Sequence, residues 1–192
     1  MRRVLFVLVG ILLASLAVSA ESIPPQVDNP EATTPFSGDT TGGPTWFRAG
    51  TLGTGASGSC MIATLEQVSY ETFEFHVDTT GLYTIFSAWD GFDGFLNLYE
   101  TAFDPLDQCL NLIALDDDGY SWVNSEIVDV SLTAGVQYFL IANGIRAIDE
   151  GPYAGTFNGE GTAILGVYGV LFTDGFSTGD TCNWSTATSG CP

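Results

Sequence analysis

The sequence predicts an all-β fold, an antiparallel β-sandwich of about eight strands. Three observations lead there. Apolar residues recur at a spacing of two, and runs with the i, i+3, i+4 spacing of a helix are absent. Glycine interrupts the apolar segments too often for helices to propagate. Turn signals such as DGFDG, TAG, NG and NGEG stand between nearly all of the segments.

The clearest strand is YETFEFHV, in which Phe73, Phe75 and Val77 share one face while Thr72, Glu74 and His76 share the other. After a Thr-Thr-Gly turn, TTGLYTIFSAW is apolar on both faces, as a central strand is. GFLNLYE, NLIALDD, EIVDVSL, VQYFLIAN and GTAILGVYGVLF complete a series of seven, and a shorter strand is expected at Gly155–Asn158.

Residues 1–20 read as a secretory signal peptide. Arg2 and Arg3 precede the apolar run Val4–Val18, and Val18-Ser19-Ala20 supplies the small residues of a cleavage site. That run is shorter than the roughly 20 residues a membrane-spanning helix needs, so no membrane span is expected after cleavage. Residues 21–45, rich in Pro, Thr, Gly and acids, read as an extended N-terminal segment without an apolar period. The sandwich is expected over 46–172, and 173–192 forms a C-terminal tail.

Charge narrows the partners. There is no lysine, and once residues 1–20 are removed only Arg48 and Arg146 oppose 23 acids, a formal charge of −21. Such a field repels nucleic-acid phosphates and anionic membranes, favours cations and keeps the protein soluble. Four cysteines follow the export signal, which in an oxidising compartment reads as two disulfides. Of three pairings, position along the chain favours Cys60–Cys109 in the globular part and Cys182–Cys191 around a small C-terminal loop.

Several segments together resemble a known family. VSYETFEFHVDTTGLYTI, GFLNLYE, LIALDDDG and LTAGVQYFLIANG are similar to successive strands of the bacterial pre-peptidase C-terminal (PPC) domain family, over about Thr45–Leu171. The resemblance implies a jelly-roll-like β-sandwich of the kind appended to secreted proteases and surface proteins. No peptidase domain accompanies it in this sequence. It also implies a calcium site built from loop acids and carbonyls. The segment LFTDGFSTGDTCNWS resembles a C-terminal motif of exported bacterial proteins, F-x-D-G-F-E-S-G-D-x-S-x-W-S, with Ser177 and Thr178 replacing its Glu-Ser pair. That resemblance implies a sorting or surface-attachment tag.

Gly175-Phe176-Ser177-Thr178-Gly179 matches G-x-S-x-G, but a nucleophile elbow needs a strand–turn–helix and, in α/β hydrolases, a downstream His. The sole histidine, His76, lies about a hundred residues upstream on the polar face of a strand. Paired carboxylates could serve an acid-based hydrolase of extracellular glycans, but nothing in the sequence marks a pair.

Calcium is the stronger case, because it takes six to eight oxygen ligands from carboxylates and loop carbonyls. Asp90 and Asp93 in AWDGFDGF, and Asp116, Asp117 and Asp118 in ALDDDGY, are the candidate ligands. An EF-hand beginning at Asp116 fails, since Tyr120 and Ile127 fall where acids belong. In an extended chain Asp116 and Asp118 share one face, with Asp117 opposed. The competing reading is turn chemistry, in which Asp accepts hydrogen bonds from nearby backbone N–H groups and Gly119 relaxes the backbone. Trp89 and Trp122 flank the two turns. They offer either a carbohydrate- or protein-binding surface or caps on the core.

The expectation is therefore a secreted or cell-surface module without catalytic activity, binding an extracellular glycan or protein and using calcium. A glycan hydrolase is the alternative.

Overall fold

The computed structural model of the chain describes residues 31–52, 59–63 and 65–169. Among these residues there is no helix, and twelve strands account for the regular structure. In chain order they are β1 (Ala32–Asp39), β2 (Thr45–Trp46), β3 (Ala49–Leu52), β4 (Ser59–Ile62), β5 (Val68–Val77) and β6 (Gly81–Trp89). Then follow β7 (Gly94–Glu100), β8 (Leu112–Asp116), β9 (Ser125–Leu132), β10 (Tyr138–Gly144), β11 (Pro152–Gly159) and β12 (Ala163–Leu165).

Two antiparallel sheets carry the fold. One has the order β1-β11-β6-β9, the other β12-β5-β10-β7-β8 with β2 also paired to β5. From β5 onward every connection except the β7–β8 hairpin passes from one sheet to the other, so the chain wraps a single core. The alternation seen in the sequence supplies that core: Phe75 and Val77 of β5 meet Tyr83 and Ile85 of β6, Leu96 and Leu98 of β7, Leu140 of β10 and Phe157 of β11. All are almost wholly buried.

A smaller core lies on the outer face of the second sheet. Trp46, Ala49 and Val68 pack there against Tyr99 and Ile141, and the Cys60–Cys109 disulfide joins the β3–β4 hairpin to the loop after β7. Buried on both faces, β7 reads in sequence as a nearly unbroken apolar run. The expected Cys182–Cys191 pair and the tail lie outside the described residues, as does the 1–20 segment. Among the described residues no helix is long and apolar enough to cross a membrane.

The structure corrects two boundaries. Part of the expected lead-in is a strand: β1 pairs with β11 from Ala32↔Gly159 to Asp39↔Pro152 and buries Phe36 in the core. Its pattern was obscured because only Phe36 is buried along it, and Pro35 is tolerated because β1 is an edge. Of the strand expected over Gly161–Phe172, the described residues form only Ala163–Leu165, followed by glycines at positive φ, Gly166 (116°) and Gly169 (81°). The short strand expected at Gly155–Asn158 is the longer β11.

The sandwich has two distinct ends. The loops 40–44, 90–93, 117–124 and 145–151 gather at one, where Gly94 pairs with Gly144 and Trp89 with Tyr153. The turns 78–80, 133–137 and 160–162 gather at the other, where Gly81 pairs with Leu132 and Ala163 with Val77.

Candidate acidic site at one end of the sandwich

Both acidic turns emerge at the first end because β7 and β8 are hydrogen-bonded neighbours, with Leu96 opposite Asp116. Asp93 lies just before β7 and Asp117 just after β8. Among the described residues, Asp93, Asp117 and Asp118 each bring a carboxylate oxygen within 4.8 Å of the others. Two ligands of one calcium ion stand at most about 5 Å apart, twice the 2.3–2.6 Å bond, so the spacing fits.

Arg48 completes the setting. It is buried on the segment between β2 and β3, with its guanidinium 3.9 Å from the centre of the Phe95 ring. A buried amide network holds this segment: Asn143 Nδ2 donates to Asn97 Oδ1 (3.1 Å) and to Phe95 O (3.0 Å), and Asn97 Nδ2 donates to Ala49 O (3.4 Å). Burial pulls the Arg48 pKa down, while Asp117 and Asp93 push it back up.

The carboxylates feel each other more than they feel Arg48. Burial, then Asp118 and Asp93, push Asp117 up to about 6, against the opposing pull of Arg48. Asp93 is raised by burial and then by Asp118 and Asp149. Asp93 Oδ1 and Asp117 Oδ1 are buried without a hydrogen-bond partner, as is Arg48 Nε. Arg146, which opposes the rise at Asp93, is itself paired with Asp149 at 3.2 Å, so the three clustered carboxylates and Arg48 leave an excess of two negative charges, the complement of a divalent cation. Oxygen donors of this hardness suit calcium.

The five candidate ligands separate into different roles. Asp116 makes the turn: its Oδ2 accepts from Gly119 N (2.8 Å) and Glu126 N (2.7 Å). Asp90 is exposed, its N–H donating to Pro152 O (3.0 Å), and it stands outside the cluster. The expected sharing of a face by Asp116 and Asp118 is reversed. The strand ends at Asp116, so period-two alternation does not extend beyond it, and the turn brings Asp117 and Asp118 together.

The two tryptophans also part company. Trp89 is a core cap, 7% exposed, with its indole N–H donating to Ser125 Oγ (3.3 Å), which donates in turn to Gly94 O (3.2 Å). Trp122 is 88% exposed at a tight turn closed by Asn124 N to Ser121 O (3.1 Å). Tyr120, beside it, packs edge-on against Phe86 at 4.8 Å. Val123 is also exposed, so one loop carries two cluster carboxylates and an apolar tip.

Arg48 is the residue that reading the acidic turns misses. Its signal is scarcity, since it is one of two cations beyond residue 20. His76 packs against Tyr168 at 4.9 Å on the outer side of β5, and Ser177 lies outside the described residues. No protein-family model matches the chain, and no curated protein matches it.

Proposed function

We propose that the protein is a secreted, non-catalytic β-sandwich module that attaches to an extracellular glycan or protein through its acidic end, with calcium ordering that end. One observation carries this reading: the loop 117–124 contributes two of the three converging carboxylates and also holds Trp122 out in solvent. An ion between Asp93 and Asp117–Asp118 would tie this loop to the start of β7 and fix the direction in which the tip projects. Large aromatic rings give contact area at low entropic cost, which suits Trp122 to stacking on a sugar or filling a protein pocket. The resemblance of the strand order to PPC-like domains, and of the tail to an export-associated motif, supports a surface role.

Isothermal titration of the mature protein with calcium tests the metal part, and one bound ion per chain is expected. Glycan and extracellular-protein arrays probed in calcium and in EDTA test attachment. Trp122→Ala should abolish capture while leaving calcium binding intact. Absence of heat on calcium addition, or capture indifferent to both EDTA and Trp122→Ala, would overturn the reading. Turnover on a glycan panel that disappears with Asp117→Asn would establish the hydrolase instead.

A further inference from the structure

The two sheets meet along one side of the sandwich and part along the other. On the closed side the edges β1 and β12 are joined by Ala163 N–H donating to Thr34 Oγ1 (3.2 Å). On the other side the edges are β8 and β9, each paired to a single neighbour. They are drawn together at the acidic end through Asp116 Oδ2 and Glu126 N. Beyond that contact they diverge around a cleft of about 650 Å³.

Four features of this cleft point to one kind of occupant. First, both walls are edge strands, and an edge strand presents a row of unpaired N–H and C=O groups that templates another strand. Second, the greater part of the surface between them is apolar, with Ile113, Ala114, Ile127 and Val130 contributing. Third, every charged residue of the lining is acidic: Glu100, Asp116, Glu126 and Asp129. Fourth, each wall is bulged, at Leu98/Tyr99 opposite β8 and at Tyr83/Ile85 opposite β9. The β9 bulge holds Asp129 at a φ of 52°, a left-handed backbone that non-glycine residues rarely adopt. Bulges increase local twist and re-aim side chains, so the walls are mismatched for pairing with each other.

We propose that this cleft binds an extended segment of a partner polypeptide in which apolar residues alternate with Lys or Arg, added as a strand along β8 or β9. Main-chain hydrogen bonds would supply affinity, and alternate side chains would divide between the apolar floor and the acidic rim. The charge pattern selects against the other occupants. A second copy of this chain, at a formal charge of −19, would bring acids against acids, and nucleic acid or an anionic lipid would be repelled. None of Asp93, Asp117 and Asp118 lines the cleft, although Asp116 and Gly119 of their turn close its end, so peptide binding measured in EDTA tests this inference apart from the calcium reading.

The probes are fluorescent capped peptides of about eight residues, the length of β9, read by anisotropy against the mature protein. One alternates Val and Lys, one alternates Val and Glu, and one is the Val–Lys peptide N-methylated at alternate amides. The Val–Lys peptide should bind, the Val–Glu peptide should not, and N-methylation should weaken binding roughly tenfold by removing ladder donors. Glu126→Gln with Asp129→Asn should weaken the Val–Lys peptide roughly tenfold, whereas the equal charge change Glu31→Gln with Asp107→Asn, away from the cleft, should not. Hydrogen exchange should show new protection confined to β8 or β9. The proposal is overturned if the N-methylated peptide binds as well as its parent, if the remote double variant weakens binding equally, if protection appears elsewhere, or if the Val–Lys peptide does not bind.

Discussion

Replacing Asp117 by Asn should have opposite effects with and without metal. In the metal-free protein at pH 7, Asp117 is an anion held among anions in a half-buried position, and this pushes its pKa from 3.8 to about 6. A rise of roughly two units corresponds to at most about 3 kcal/mol, at 1.36 kcal/mol per unit. Solvent reaches the group, and the loss of a partner for Arg48 offsets part of the gain, so about 1 kcal/mol is expected. For a domain of this size that is an increase in Tm of about 3 °C in EDTA. The sign follows from proton linkage. Folded Asp117 binds its proton more tightly than the unfolded chain does, so wild type gains stability as pH falls from about 6 toward 4, and its deficit relative to Asp117→Asn should close over that window. Bound calcium would substitute for the proton. At a hundred times its Kd it would add about 2.7 kcal/mol to wild type, and the order of the two Tm values should invert. Scanning calorimetry of both proteins in EDTA and in calcium, at pH 4.5 and 7, makes the comparison. A lower Tm for Asp117→Asn in EDTA, or an equal calcium shift in both proteins, would refute the reasoning.

Other perturbations test the frame that holds this end in place. Phe36→Ala should cost about 3–4 kcal/mol in guanidinium unfolding, since Phe36 is buried at 4.9 Å from Phe157 and 5.2 Å from Phe73; a negligible change would mean that β1 is a dispensable lead-in. Gly94→Ala should cost about 2 kcal/mol, because its methyl group would collide with the Trp89 indole. Cys60→Ser with Cys109→Ser should lower stability by about 4 kcal/mol, judged from the 49-residue separation that the bond closes in the unfolded chain.

The parts of the fold legible in the sequence are those in which one side chain in two is buried. The C-terminal half of β5 alternates in sequence and in burial, at Phe75 and Val77, and β6, though apolar on both faces in sequence, buries every second side chain from Tyr83 to Trp89. β11 was harder to see because its inward positions include Gly155 and Gly159, where the rings of Phe36 and Tyr83 leave no room for a side chain. The β3–β4 hairpin gave little signal, since much of its hold on the domain comes from Cys60 and from the packing of Ala49. At the acidic end, composition marked the turns but could not assign the oxygens. That assignment depends on where β8 stops, which is set by its pairing with β7. Asp116 is claimed by its own turn, and the two residues after it are freed to face Asp93.

The two ends of the sandwich also determine how it would be held. Ala32 enters beside Gly159, and Tyr168, near the last described residue, packs against His76 and beside Gly135 in the 133–137 turn. Both routes out of the described chain therefore lie at the end opposite Asp93, Asp117 and Trp122. A tether at either side of the domain would leave its acidic loops pointing away from the anchoring point, at the full length of the strands. If the domain is tethered, the strands would set the reach, and the loops that carry charge and tryptophan would be the first part of it to meet a partner.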